Sequence, residues 1–267
     1  MNVDAYLRRT GYAGPREPTR AMLGELVQRH AQAIAFENVD AFLGRRVSLD
    51  PVDVERKLVR EGRGGWCFEQ NLLFGEVLRE LGFKATDLAG RVLWNRPSDA
   101  ITPRTHRLLK VEADGREWLV DVGFGGHTLT GVLDLYSEAA QATPHEPFRL
   151  RRLHGEERVL ESLLGGEWKP LCRFDLQPQL PIDFEAANYQ LAHDPASLFT
   201  QLLVVSRVAP DGRHVLRGRE LASHRLGGET TRRELASTGE VLAALRELFG
   251  LKLDMATEAA LRGRLGA

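Results

Sequence analysis

The sequence predicts an α+β chain built in three successive parts: helices, an antiparallel β unit, and a smaller α/β piece. Three observations predict it. Apolar residues recur at helical spacing as far as Leu81, the pattern changes after Gly82 to short β-rich runs, and Ser237 opens a last helical pattern.

Pro18-Thr19 precedes Leu23, Leu26, Val27 and His30 at helical spacing, with Thr19 as N-cap. Asp50-Pro51 supplies a cap and a first-turn proline for a helix running to about Arg60. The turn Glu61-Gly62-Arg63-Gly64-Gly65 breaks the chain. A further helix starts near Cys67, carries Leu72, Leu73, Val77, Leu78 and Leu81 on one side, and stops at Gly82. Residues 85–93, 105–111 and 117–122 are strand-like, and Ala113-Asp114-Gly115-Arg116 is a hairpin signal between the last two. Further strand-like runs cover 148–153, 157–163 and 168–175, and the Pro-containing stretch 177–181 marks a boundary. In the tail, 199–208 and 214–221 read as strands joined at Asp211-Gly212. Ser237-Thr238-Gly239-Glu240 then reads as a capping box for a helix with Val241, Leu242, Leu245, Leu248 and Phe249 apolar. The expected divisions are 1–83, 84–180 and 181–267.

Of 267 residues, 43% are apolar and 27% charged, which is ordinary globular composition. A formal net charge of -1 creates no overall field to recruit nucleic acid or an anionic membrane. The Arg-rich stretch 213–233 is dense in Glu and Gly and reads as solvated surface. No apolar run reaches the length of a membrane span, and Met1-Asn2-Val3-Asp4-Ala5-Tyr6 lacks the order of a signal peptide. A cytoplasmic protein is expected. Two cysteines, Cys67 and Cys172, are too few for a disulfide framework. Zinc spacings, a P-loop, a Gly-x-Ser-x-Gly elbow and His-Glu-x-x-His are all missing, so neither a metal nor a serine nucleophile is expected.

The chemistry concentrates near Cys67. A thiol attacks as thiolate, yet a free cysteine with pKa about 8.5 is mostly protonated at neutral pH. The first turn of a helix favours a negative sulfur and offers N–H groups for an oxyanion. The preceding glycines allow close backbone approach to a reacting carbonyl. If Asp114-Gly115 is a two-residue turn, Leu108 opposes Asp121 and His106 opposes Gly123. His106 and Asp121 then share a face as diagonal neighbours roughly 7 Å apart at the backbone. Asp121 can orient the imidazole and stabilise imidazolium, while His106 takes and returns the thiol proton. Taken alone, these residues also fit a small buried thiol at a helix start and a structural strand histidine. His30 sits in a helix, His145, His154, His214 and His224 in polar segments, and His127 reads as surface. Cys172 reads as a buried structural thiol. Gly123-Phe124-Gly125-Gly126 fits either a phosphate-bearing ligand's approach or a plain hairpin exit.

Arg63-Gly64-Gly65-Trp66-Cys67-Phe68-Glu69-Gln70-Asn71 resembles the active-site segment of the arylamine N-acetyltransferases, Arg-Gly-Gly-x-Cys-Phe-Glu-x-Asn. The resemblance runs along nearly the whole chain, through Tyr6–Tyr12, Phe36-Glu37-Asn38, Thr105-His106-Arg107-Leu108 and Asp121-Val122-Gly123-Phe124-Gly125. It continues in the segments 168–179 and 188–199. It implies a helical bundle, an antiparallel β-barrel and an α/β lid, on a papain/transglutaminase-like catalytic core. It gives Cys67, His106 and Asp121 the roles of nucleophile, base and orienting acid. It implies a ping-pong cycle with acetyl-CoA as co-substrate, no metal, and an arylamine, hydrazine or arylhydroxylamine as acceptor, in a monomer or homodimer. Carried over likewise, Phe36, Val92, Phe124 and Phe199 line the acceptor pocket, and Trp94, Thr105, Gly125 and Gly126 lie near CoA. Ala35 stands where many members have Pro, Cys172 where Tyr is common, and Trp66 precedes the nucleophile, narrowing access. Rival readings are an amide synthase closing macrolactams, a cysteine hydrolase with the same core, and a catalytically silent binding protein. The complete Cys-His-Asp set argues against the last.

Overall fold

Side-chain caps open three helices of the first third, and the computed structural model describes residues 1–97 and 99–266. Asn2 accepts from the Ala5 N–H to begin α1 (Val3–Thr10), and Thr19 accepts from the Met22 N–H to begin α2 (Arg20–Ala33). β1 (Phe36–Glu37) and α3 (Val39–Phe42) follow. Asp50 accepts from the Val52 N–H and, with Pro51, starts α4 (Pro51–Glu55), which continues as a π-helical turn over Arg56–Arg60. α5 (Cys67–Glu80) is buried along most of its length. Its Leu72, Leu73, Val77 and Leu78 join Leu23, Leu26, Val54 and Leu58 in one core.

The β unit contains β2 (Lys84–Val92), β3 (Arg104–Ala113), β4 (Arg116–Val120), β5 (Leu133–Asp134), β6 (Phe148–Arg152), β7 (Arg158–Leu164) and β8 (Glu167–Phe174). They form one antiparallel sheet in the order β5-β4-β3-β2-β8-β7-β6. Gln141 links its two edges. Its backbone exchanges hydrogen bonds with Phe148 at 2.7 and 3.0 Å, and its amide bonds to the Asp134 N–H at 2.7 Å and carbonyl at 3.0 Å. The sheet thereby becomes a nearly closed barrel, filled by Leu88, Leu108, Leu119, Leu133 and Leu160. Leu109, Val111 and Val120 point the other way, into the core shared with α5. The expected two-residue hairpin is present. Asp114 and Gly115 both have positive φ (49° and 72°), and Ala113 pairs with Arg116 and Leu109 with Val120.

The last third holds α6 (Glu185–His193), α7 (Leu198–Gln201), β9 (Val204–Ala209), β10 (Gly212–Arg217), β11 (Glu220–Arg225), β12 (Thr230–Glu234), α8 (Thr238–Glu247) and α9 (Met255–Leu265). Its sheet has the order β1-β9-β10-β11-β12, so the short N-terminal strand completes a C-terminal sheet.

Three expectations change here. The run 199–208 begins as α7, because Ser197 caps the Phe199 N–H, and extends only from Val204. The run 214–221 is two strands, divided by a turn with Gly218 at φ 62°. The Arg-rich stretch is the ribbon β10–β12 rather than uniform solvated surface. Arg213 is only 3% exposed and pairs with Glu146 at 2.6 Å.

Candidate active site

The site is assembled where α5 begins against the ends of β3 and β4. Trp66 is the N-cap and supplies no side-chain cap, so among the described residues no side chain occupies the first-turn N–H groups from that position. Cys67 is the first helical residue and 9% exposed. The glycines before it are required by the protein's own packing. A Cβ on Gly64 would lie 2.1 Å from the Ala35 carbonyl oxygen, and one on Gly65 would lie 2.7 Å from Glu69 Oε2.

β2 and β3 pair Gly90 with His106 but Arg91 with Arg104, so Thr105 is a bulged extra residue. The bulge turns the Thr105 carbonyl toward Cys67, whose Sγ donates to it at 3.6 Å. Beside it, His106 Nε2 bonds Asp121 Oδ2 at 2.6 Å, and the Cys67 sulfur is near enough to the ring to help raise its pKa. With Nε2 engaged by the carboxylate, Nδ1 is the nitrogen left for sulfur. Asp121 is fully buried, and its Oδ1 accepts from the Asn71 amide at 3.0 Å and the Gly123 N–H at 2.9 Å. Asn71 also donates to the Arg107 carbonyl at 2.6 Å and accepts from the Val122 N–H at 3.1 Å. It therefore rivets α5 to both strands. Gly123 closes the seam, since a Cβ there would lie 2.8 Å from Cys67 Cα and from Asn71 Nδ2.

Burial alone would hold the His106 imidazole neutral. The Asp121 carboxylate, the hydrogen bond to it and the contact with the Cys67 sulfur overcome that and raise His106 to about 10. A sulfur thus lies beside an imidazole that keeps its proton at neutral pH and is hydrogen-bonded to a buried carboxylate. Such an arrangement can ionise a thiol and shuttle its proton.

Aromatic residues surround it. Phe124 stands edge-on to His106 at 5.1 Å, Phe36 lies 6.1 Å from Phe199, and Phe199 lies 5.4 Å from Trp66. Trp66 does not stand in the entrance. It is 1% exposed, donates to Asn188 Oδ1 at 3.1 Å, and backs Phe199. Val92 ends β2 opposite Cys172. Cys172 is fully buried, its Sγ filling the space that a Cβ on Gly90 would need.

Gly125 and Gly126 form a 3₁₀ turn with His127, pressed between the barrel and the C-terminal sheet. A Cβ on Gly125 would lie 3.5 Å from the Phe36 ring and from Ser206 Oγ, and one on Gly126 3.2 Å from Val215. His127 is half-buried rather than on the surface, with its ring 4.0 Å from Trp94. Burial, then the Arg213 charge, lower its pKa to about 4. Asn71 and Glu69 are site residues whose individual roles were not foreseen from the sequence, and Gly123 packs against Cys67 rather than serving only as a glycine of its loop. Asn71 lies four residues after Cys67, on the same helix face, and that spacing was the available signal. Among the described residues no group of three or more His, Cys, Asp or Glu could hold a metal ion, and no helix is long and apolar enough to cross a membrane.

The profile of a family described as N-acetyltransferase matches residues 20–258. The arylamine N-acetyltransferase of Mycolicibacterium smegmatis is 43% identical over 258 residues, covering 95% of this chain and 93% of its own length. A Salmonella typhimurium protein named arylamine N-acetyltransferase / N-hydroxyarylamine O-acetyltransferase is 43% identical over 195 residues, 73% of this chain and 69% of its own. The solved structure of Mycobacterium marinum arylamine N-acetyltransferase in complex with CoA superposes with a TM-score of 0.94 at 38% identity, covering 99% of this chain and 98% of that one.

Proposed function

This chain belongs to the arylamine N-acetyltransferase family, and we propose that it carries acetyl from acetyl-CoA to an arylamine, hydrazine or arylhydroxylamine through a thioester on Cys67. It is an acyltransferase. The observation that carries the mechanism is the Asp121–His106 pair set beside the Cys67 sulfur, at a helix start whose N-cap residue supplies no side-chain cap.

In this reading His106 holds the thiol proton while sulfur attacks the acetyl carbonyl. The resulting oxyanion meets first-turn N–H groups of α5. The tetrahedral species collapses, the C–S bond to CoA breaks, and His106 returns its proton to the departing thiol. The amine then attacks the thioester, His106 accepts its proton, and the C–S bond breaks so that the amide leaves with Cys67 restored as thiolate beside protonated His106. Asp121 keeps the imidazole in one orientation throughout.

Phe36, Phe124 and Phe199, with Val92 at the strand end, form the acceptor's apolar walls. Trp94, Thr105, Gly125 and Gly126 lie along the approach of the CoA thioester. Residues 1–83 deliver the sulfur, 84–180 the base and acid, and 181–267 the cover. The cycle belongs to a cytoplasmic monomer or homodimer acting on small molecules.

Intact-mass measurement tests this directly. Acetyl-CoA alone should add one acetyl group, and an added arylamine should remove it. Cys67→Ala and Cys67→Ser should both abolish transfer with the fold intact, and transfer retained by the alanine variant would exclude the sulfur. Rapid loss of acetyl to water with no amine present would instead identify a hydrolase.

A further inference from the structure

We propose that Lys57 is a positioning residue for the nucleophile: its ammonium holds Glu69 against the peptide preceding Cys67 and balances the carboxylate charge gathered beneath that helix start. The inference rests on Cys67 as nucleophile and deepens that reading.

Glu69 Oε2 accepts from the Trp66 N–H at 3.1 Å, fixing the peptide immediately before the sulfur-bearing residue. Its Oε1 lies 2.7 Å from Lys57 Nζ, and the same ammonium lies 2.7 Å from Asp40 Oδ2. Arg63 completes the cluster, 2.8 Å from Glu37 Oε1 and 3.4 Å from Asp40 Oδ2. Glu37 Oε2 accepts from the Val39 N–H at 2.7 Å. Three carboxylates therefore face two cations, and the Lys57 and Glu69 side chains are only 14% and 3% exposed. Lys57 lies on the π-helical turn, where the Glu61 N–H reaches the Arg56 carbonyl at 2.9 Å. Single π turns of this kind commonly occur at functional sites.

Glu69 is two residues from Cys67 and shares its first helical turn. A bare carboxylate there would oppose a negative sulfur, against the helix dipole. Burial raises the Glu69 carboxyl on balance, Glu37 and Asp40 add to the rise, and Lys57 is the group that pulls it down. The other titratable groups around Cys67 are His106, Asp121 and, from β8, the buried Cys172. None of these balances Glu69, and Arg63, which also feels its charge, is in contact with Glu37 and Asp40 instead. Lys57 balances it.

The test is the pH dependence of iodoacetamide alkylation at Cys67, followed by mass, with Cys67→Ala as the blank. Lys57→Met should move the acid limb toward alkaline pH, and Glu69→Gln, whose amide oxygen can still accept from Trp66, should move it toward acid. Each shift should change the rate on the limb by roughly tenfold. The double variant should return to within about threefold of the unaltered chain. Opposite displacements are not what general destabilisation produces. Both single variants moving the same way, or neither moving, would overturn the proposal. If Lys57→Met does not fold, Glu69→Gln decides alone, and an unmoved limb overturns it. Failure of acetyl loading in the unaltered chain would instead sink Cys67 as nucleophile, separately from the alkylation result.

Discussion

Two buried histidines, one at the centre of the helical bundle and one at the seam between α5 and the barrel, respond to burial in opposite ways. His30 is wholly buried, with Tyr6 Oη at 2.9 Å from Nδ1 and Gln70 Oε1 at 2.6 Å from Nε2. Both partners are neutral, and burial lowers its pKa to about 4. His106 is 3% exposed, yet a carboxylate on Nε2 and a sulfur on its other side raise it to about 10. The lesson is that burial sets the cost of charge, while the partner decides whether charge is present. One ring fastens a scaffold, since Gln70 also donates to the Ala35 and Gly65 carbonyls at 2.8 and 3.1 Å. The other is equipped to handle a proton.

The severest test of this contrast gives His106 a neutral partner. Asp121→Asn should lower transfer by about 10⁴-fold while the fold persists, because the amide cannot hold the imidazolium. A variant retaining more than a tenth of the transfer rate would show that the carboxylate is not what separates the two rings.

Acid should expose the other half of the contrast. A base whose folded pKa lies near 4, below its ordinary 6.5, stabilises the fold above pH 6.5, and that contribution is lost as pH falls toward 4. The loss should be ~3 kcal/mol in thermal or urea unfolding across that window. His106 has the opposite sign, its contribution being present below 6.5 and lost as pH rises toward 10. Replacing His30 with Gln should flatten the acid side of the stability curve and leave the alkaline side in place.

Geometry comes next. Gly123→Ala would force the strand exit off Cys67 and Asn71, and transfer should fall by about 10²-fold from misplacement alone. Unchanged kinetics would mean that the seam tolerates more slack than its contacts imply. Smallest is Tyr6→Phe, which leaves His30 Nδ1 without its donor. It should cost about 1–3 kcal/mol of stability with transfer nearly unaltered.

The seam was more legible in sequence than its supports were. Asp114-Gly115 signals a two-residue hairpin, and that register, like any that changes the loop by an even number of residues, places His106 and Asp121 on one face. Cys67 stood out because a glycine-rich break is followed by a sustained helical pattern. The bulge at Thr105 carries no local signature, being set by how β3 meets β2 and α5. Lys57 was invisible for a similar reason, since its partner Glu69 lies across the loop 61–66 and only the fold brings them together. In the last third, arginines at Arg213, Arg217, Arg225 and Arg232 masked the alternation of a β-ribbon, and a short apolar run at 198–203 suits helix and strand equally.

The tight turn between β3 and β4 also limits which changes in chain length the protein can absorb. Residues alternate sides along each strand, so one residue inserted between His106 and Asp121 would swing one of them to the opposite side. An insertion among residues 99–103, outside any regular element, leaves that parity untouched. Natural variation in length should therefore accumulate before Arg104 and be nearly forbidden over the next seventeen positions, where the hairpin acts as a ruler whose divisions cannot be shifted singly.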